Sequence, residues 1–338
     1  MCGEKMKKLL FCFGTRPEWL KIKPLVKIIP REKYSILFTG QHQDLIKNID
    51  VDYKIEIKQR KNRLDSVISS CLLQFPEGSF SGVVVQGDTA SAYACALAAY
   101  NRGIKIFYLE AGLRSYDLEN PYPEEAYRQM ISRISDVNFC PTDLSKENLI
   151  SERVFGECHV VGNTVLDNLA SFKNGEEYNS IVLVTMHRRE NHSTMKDWFK
   201  QINNVAANHK DLQFYIPLHP NPNVYKHRNL LSNLNVIEPL SHNKFMKLLT
   251  KSKFVITDSG GIQEEGSFFN KKVIVCRKTT ERPEGTSTGH LYMCPNPEGL
   301  PKIVSSVSEN YKINSLCPYG DGKASEKVYK ILRKEYDI

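Results

Sequence analysis

The stretch VITDSGGIQEEGSFF, residues 255–269, starts as an apolar strand, breaks at Ser259-Gly260-Gly261, and resumes as a helix carrying Glu264 and Glu265 near its start. A strand that ends in small residues before a helix bares the backbone N–H groups of the first helical turn, and such a turn favours an anion. Gly260 and Gly261 have no Cβ to hold a phosphate away, and Ser259 adds a hydroxyl donor. Glu264 and Glu265 lie too far along to meet that phosphate, and a carboxylate there suits the paired hydroxyls of a ribose. The same residues also fit an ordinary tight turn with acids favoured by the helix dipole, so the motif needs company.

The company is a chain-long alternation. Short apolar runs, KLLFCF, YSILFT, GVVVQG, KIFYLEAG, VNFCPT and CHVVGN, predict strands in the first half; SIVLVTMH, LQFYIPLH, NVIEPL, KFVITDSGG and KVIVC predict them in the second. Between them lie helical patterns such as TASAYACALAAYNRG. This is the βαβ signature of parallel, doubly wound sheets. Polar SFKNGEEYNS, residues 171–180, separates the two series and has a linker's composition. The expected organisation is an α/β chain with a Rossmann-like domain over 1–170 and a second, nucleotide-binding one over 171–318. Two such sheets facing across a cleft would place a ligand at the carboxyl ends of their strands. The charged loops GTRPEWLK, QGDT, YLEAGLRS, TMHRREN, PLHPNPN and TDSGG all fall at such ends.

Composition narrows the classes. The 338 residues are 41% hydrophobic and 25% charged, ordinary globular usage with length for two cores. The formal charge of +8 comes from scattered basic residues with no basic run or arm, which does not imply nucleic acid. Nine cysteines form an odd count without a Cys-x-x-Cys pair, against zinc or a disulfide framework. Cys12, Cys95, Cys140 and Cys276 sit in apolar runs, as small core residues do, and a reducing cytoplasm is expected. The apolar run before Gly14 is five residues long, and no later run approaches the roughly 18 of a spanning helix, so no membrane association is expected.

Asp88, Glu110 and Glu124 gather in the first half, and carboxylates held close push their pKa values apart, which equips them for acid/base work. Arg16, Lys21, Arg114, Arg128, His187, Arg188 and Arg282 could neutralise a diphosphate and hold those carboxylates. His42, His187 and His219 lack the spacing of metal ligands and read as hydrogen-bonding groups, so no metal site is expected.

Taken in order, GTRPEWLKIKPL, TGQHQDL, GDTASAYACALAAY, EAGLRSYDLENPYPEEAYR, PTDLSKENL, GNTVLDNL, VTMHRREN, LHPNPNV, TDSGGIQEEG and TTERPEG resemble the signature blocks of the non-hydrolysing UDP-N-acetylglucosamine 2-epimerases, over nearly the whole chain. The resemblance implies a GT-B type fold with a C-terminal helix over 319–338 packing back on the N-terminal domain, a UDP-linked amino sugar as substrate, a homodimer, and no redox cofactor. It implies inversion at C2 by elimination of UDP to a 2-acetamidoglucal and re-addition to the other face. Asp88, Glu110 and Glu124 would be the acid/base carboxylates, joined at the catalytic centre by His187. Arg16, Lys21 and Arg128 would serve substrate or diphosphate, Ser259, Gly260 and Gly261 the diphosphate, and Glu265 the ribose.

Two departures stand out. The segment after TGQHQDL is shorter than is usual in the family, where bacterial members use that neighbourhood for a second, activating substrate molecule; Gln41 and His42 would be remnants of it. Met186 stands where a small residue is commoner, which would reshape the sugar pocket. The rival readings are a 2-epimerase of a 6-deoxy sugar, a hydrolysing 2-epimerase, a GT-B glycosyltransferase and a nucleotide-sugar-binding regulator. Retention of Asp88 and Glu110 weighs against the last.

Overall fold

A computed structural model of the chain describes residues 7–42, 49–119, 121–173 and 177–336. Residues 174–176 of the expected linker, and residues 43–48 at the start of the contracted segment, lie outside the described residues. By internal contacts the chain forms two units, Met1–Asn168 with Gly320–Ile338, and Leu169–Tyr319.

The first unit is built on β1 (Lys8–Phe13), β2 (Tyr34–Phe38), β3 (Tyr53–Lys54), β4 (Phe80–Gln86), β5 (Ile106–Leu109), β6 (Val137–Cys140) and β7 (Glu157–Val160). Its helices are α1 (Arg16–Ile28), α2 (Arg63–Leu73), α3 (Ala90–Tyr100), α4 (Glu124–Ile134) and α5 (Asp143–Ser151). The second unit carries β8 (Ile181–Thr185), β9 (Gln213–Pro217), β10 (Asn235–Ile237), β11 (Phe254–Thr257), β12 (Lys272–Val275) and β13 (Leu291–Met293). Its helices are α6 (Met195–Asn208), α7 (Pro222–Tyr225), α8 (His242–Lys251), α9 (Gly260–Phe268), α10 (Glu284–Ser287) and α11 (Leu300–Glu309), and α12 (Ala324–Tyr336) belongs to the first unit.

All pairings are parallel, in the orders β3-β2-β1-β4-β5-β6-β7 and β10-β9-β8-β11-β12-β13. Each sheet therefore reverses its winding beside its first strand, next to β4 in one and β11 in the other. Loops at such a switch point diverge and leave room for a ligand at the strands' carboxyl ends. The doubly wound α/β class expected from the sequence is what the chain adopts.

Burial explains the apolar runs. β1, β4, β8 and β11 are covered on both faces, so they read as unbroken hydrophobic stretches and not as alternations. Alanines let α3 lie against β1 and β4, and Thr89 caps it by accepting from the Ala92 N–H at 3.1 Å. Gly14 is required where β1, β2 and α3 converge: a Cβ there would come within 2.2 Å of Ser91 Oγ and Thr39 Oγ1. Asp167 caps α12 through the Ala324 and Ser325 N–H groups at 3.0 and 2.7 Å, and Val328 and Leu332 bury in the core that holds Ile22 and Leu25.

Cys12, Cys95, Cys140 and Cys276 are buried free thiols, and no disulfide occurs among the described residues. No helix there is long and apolar enough to cross a membrane. Met186 lies in the core with Val182, Val184 and Trp198, at 3% exposure.

Candidate active site

In the first unit the sheet itself brings the acids together. β4 and β5 pair in register through Gln86 and Leu109, so the next turns carry Asp88 and Glu110 side by side at the sheet's carboxyl edge. Glu110 has φ of 62°, a left-handed conformation that is rare for a side-chain-bearing residue and that concentrates at functional sites. Its carboxylate is gripped from several sides. Lys21 Nζ, on α1, lies 2.6 and 2.5 Å from the two oxygens; the Gln86 amide donates to Oε2, and Asn163 Nδ2 donates to Oε1 at 3.1 Å.

Asp88 has its own cation. Arg128 on α4 approaches Oδ2 with Nε at 2.8 Å and Nη2 at 2.6 Å, and its Nη1 donates to Glu125 at 3.1 Å. Glu124 opens α4, one turn before Arg128 and on the same helix face. The fully buried Glu125, invisible as a functional residue in the sequence, holds that turn. Burial alone would raise its carboxyl, but the Ser115 N–H, the Gln129 amide and Arg128 outweigh burial and hold it below the usual carboxylate range. Lys21 and Arg128, expected to serve substrate, thus bind Glu110 and Asp88. Arg114 does not join them: Nε and Nη2 clasp Glu152 at 2.7 and 2.8 Å and Nη2 reaches Ser132, which makes it a structural cation. Arg16 is exposed on the first turn of α1. Glu18 closes that loop by accepting from the Gly14 and Thr15 N–H groups at 3.0 and 2.6 Å and from Thr89 at 2.7 Å.

Gln41 and His42 follow β2. Gln41 Oε1 accepts from Ser91 Oγ at 2.7 Å, and the His42 N–H donates to the Gly14 carbonyl at 2.9 Å. Gln41 also borders a groove of about 430 Å3 lined with Arg60, Lys61 and Arg63.

In the second unit the quoted stretch forms β11, a two-residue turn and α9. Ser259 is the N-cap residue but makes no side-chain cap bond, so the hydroxyl is not spent on its own helix. Gly261 is exposed, with open space where a Cβ would be. Gly260 differs from its sequence reading, because neighbouring side chains occupy that space: a Cβ would come 3.0 Å from Arg282 Nη1, 3.2 Å from Arg188 Nη2 and 3.2 Å from Glu281 Oε1. Two guanidinium groups thus flank the amino end of α9. Arg282 is fixed by Glu264, 2.5 Å from its Nε, and by Glu281, which also accepts from Arg277 at 3.0 Å. Burial alone would raise the Glu281 carboxyl, yet Arg282 and Arg277 drive it far below the ordinary range. The two consecutive acids of the stretch therefore separate: Glu264 is buried against Arg282, while half-buried Glu265 lies one position further round α9.

His187 follows β8 and stacks on His219, their ring centroids 5.4 Å apart and the planes 19° from parallel. Burial pushes its imidazole below the ordinary value, and the Asp258 charge, with Oδ1 3.8 Å from Nδ1, opposes that shift. Among the described residues one set of candidate metal ligands converges, Glu157, His159 and Glu335, with ligand atoms within 4.8 Å of one another. It lies on β7 and α12 and includes none of His42, His187 and His219.

Residues 29–333 match the family model described as UDP-N-acetylglucosamine 2-epimerase. The chain belongs to the UDP-N-acetylglucosamine 2-epimerase family. A Campylobacter jejuni protein of that name is 38% identical, the match covering 97% of this chain and 98% of the relative. The crystal structure of the Neisseria meningitidis enzyme bound to UDP-GlcNAc is 32% identical with a TM-score of 0.82, covering 97% of this chain and 100% of that one. Acinetobacter baumannii MurG, 12% identical with a TM-score of 0.63 over 97% of this chain and 99% of its own, shares the fold alone. The chain is thus an isomerase, an epimerase of GT-B type.

Proposed function

We propose that the chain interconverts UDP-GlcNAc and UDP-ManNAc without net hydrolysis. The first unit supplies the proton-transfer groups and the second holds the nucleotide. A carboxylate of the Asp88, Glu110 and Glu124 set removes the proton at C2 while the C1–O bond to UDP breaks, leaving a 2-acetamidoglucal. Protonation of C2 from the other face and return of the β-phosphate oxygen to C1 complete the inversion. The electron pair freed at C2 forms the C1–C2 double bond and UDP leaves with the C–O pair, so no oxidant is consumed.

The observation that carries this reading is the pairing of two of the three acids with fixed cations, Glu110 with Lys21 and Asp88 with Arg128, at adjacent strand ends. Acids so placed are pre-oriented for proton transfer at a carbon that is only weakly acidic. The α9 terminus with Arg188, Arg282 and the Ser259 hydroxyl supports the other half, since developing charge on a departing diphosphate is stabilised by donors already in place. Glu265 takes the ribose hydroxyls, Arg16 reaches the diphosphate, and the working form is a cytoplasmic homodimer.

The test is the product. The purified chain incubated with UDP-GlcNAc is expected to yield UDP-ManNAc with no accumulation of UDP. Release of free N-acetylmannosamine with stoichiometric UDP would identify a hydrolysing enzyme, and transfer to an added acceptor a glycosyltransferase. If UDP-GlcNAc is inert and its 6-deoxy counterpart is converted, the chemistry stands with a different sugar.

A further inference from the structure

We propose that Asp258 is a positioning residue that presets His187 and Arg188 against the diphosphate. This rests on the reading of the second unit as the UDP-holding half. Asp258 lies in the opening stretch, directly after β11, and its side chain is wholly buried. A buried carboxylate is costly unless its lone pairs are met. Here they are met by one loop. The His187 N–H donates to both oxygens at 3.1 and 3.0 Å, the Arg188 N–H to Oδ2 at 2.9 Å, and Asn191 Nδ2 to Oδ2 at 3.1 Å. Asn191 also donates to the Cys276 carbonyl at 3.0 Å, so the clamp extends to the end of β12.

The residues so fixed are those the diphosphate needs. With its main chain pinned, Arg188 places Nη2 3.2 Å from the position a Gly260 Cβ would take, at the amino end of α9. His187 stands with Nδ1 3.8 Å from Asp258 Oδ1, close enough for strong Coulombic influence and too far for a hydrogen bond. The groups acting on its ring are Asp258 after β11, His219 after β9, and Arg188 and His192 on its own loop. Asp258 is the one anion among them, and it opposes the burial and the Arg188 charge that disfavour the imidazolium. A protonated His187 would in turn favour the departing anion.

The test is calorimetric titration of UDP into wild type, Asp258→Asn and His187→Gln over roughly pH 5.5 to 8.5, the range in which histidine titrates. The phosphate's own titration is common to all three. Asp258→Asn is expected to weaken UDP binding about 10-fold or more near neutrality, since an amide offers a donor where three donors converge. It should also move the imidazole-dependent part of the profile, the part His187→Gln removes, to lower pH by about half a unit or more. A purely structural role would weaken binding without moving that midpoint. If Asp258→Asn binds UDP with wild-type affinity and profile, the inference falls alone; a wild type that does not bind UDP removes the reading beneath it as well. Should Asp258→Asn not fold, Asn191→Ala, which removes the side-chain donor that ties Asp258 to the loop, takes its place: weaker UDP binding with a shifted imidazole-dependent midpoint supports the proposal, and wild-type affinity and profile overturn it.

Discussion

In the first unit cations hold acids in place, with Lys21 on Glu110 and Arg128 on Asp88; in the second, acids hold cations, with Glu264 and Glu281 on Arg282 and Glu281 on Arg277. The inversion follows from what each half is proposed to do. A proton-transfer carboxylate must meet its substrate at a fixed angle, and a neighbouring cation orients it. A guanidinium that meets a diphosphate must not collapse onto it or swing into water, and a buried carboxylate behind it fixes its direction.

The comparison breaks first at the acids. Asp88→Asn, Glu110→Gln and Glu124→Gln should each cut turnover by about 10²-fold or more with UDP affinity nearly unchanged, as turnover assays beside calorimetry would show. Loss of UDP binding in Asp88→Asn with none in Glu265→Ala would mean the two halves are assigned backwards.

Acid should separate the units next. His290, fully buried in the second unit, has its imidazole pushed down to about 4 by burial, against an ordinary 6.5. A base depressed in the folded state contributes stability that is complete above the unfolded value and is lost as pH falls toward the folded one. Between pH 7 and pH 5 the loss should be on the order of 2 kcal/mol. Urea titrations at the two pH values measure it, and His290→Gln should remove most of that pH dependence.

Smaller effects sharpen the nucleotide side. Ser259→Ala and Glu265→Ala should each weaken UDP binding by roughly 5- to 10-fold, the value of one charge-assisted or neutral hydrogen bond, with little change in turnover at saturation. The smallest expected effect concerns coupling. With the segment after Gln41 and His42 contracted, rate against substrate should be hyperbolic, and UDP-ManNAc should react without a trace of UDP-GlcNAc. A lag abolished by added UDP-GlcNAc would show that an activating site survives the contraction.

The fold was legible because strands covered on both faces write themselves as apolar runs, as in KLLFCF for β1 and KVIVC for β12. β3 and β13 escape that signal: Tyr53–Lys54 is an exposed two-residue edge, and Leu291–Met293 is a half-buried edge strand only three residues long. The candidate site was legible as a list of residues at strand ends. Its pairings were not, since Lys21 and Glu110 lie 89 positions apart and only the sheet order brings them together. Arg114 and Met186 show the converse. Each stands beside functional-looking neighbours in the sequence, and each turns away from them, one to Glu152 and one into the core.

Proton removal at C2 by the first unit's carboxylates is the step on which the proposed epimerisation turns. Proton NMR of UDP-GlcNAc incubated with the chain in D2O tests it directly. The C2 proton signal is expected to disappear as deuterium enters from solvent, without added NAD, and this exchange to be suppressed in Glu110→Gln. Epimerisation with the C2 proton retained, deuterium at another carbon, or a requirement for NAD would contradict it.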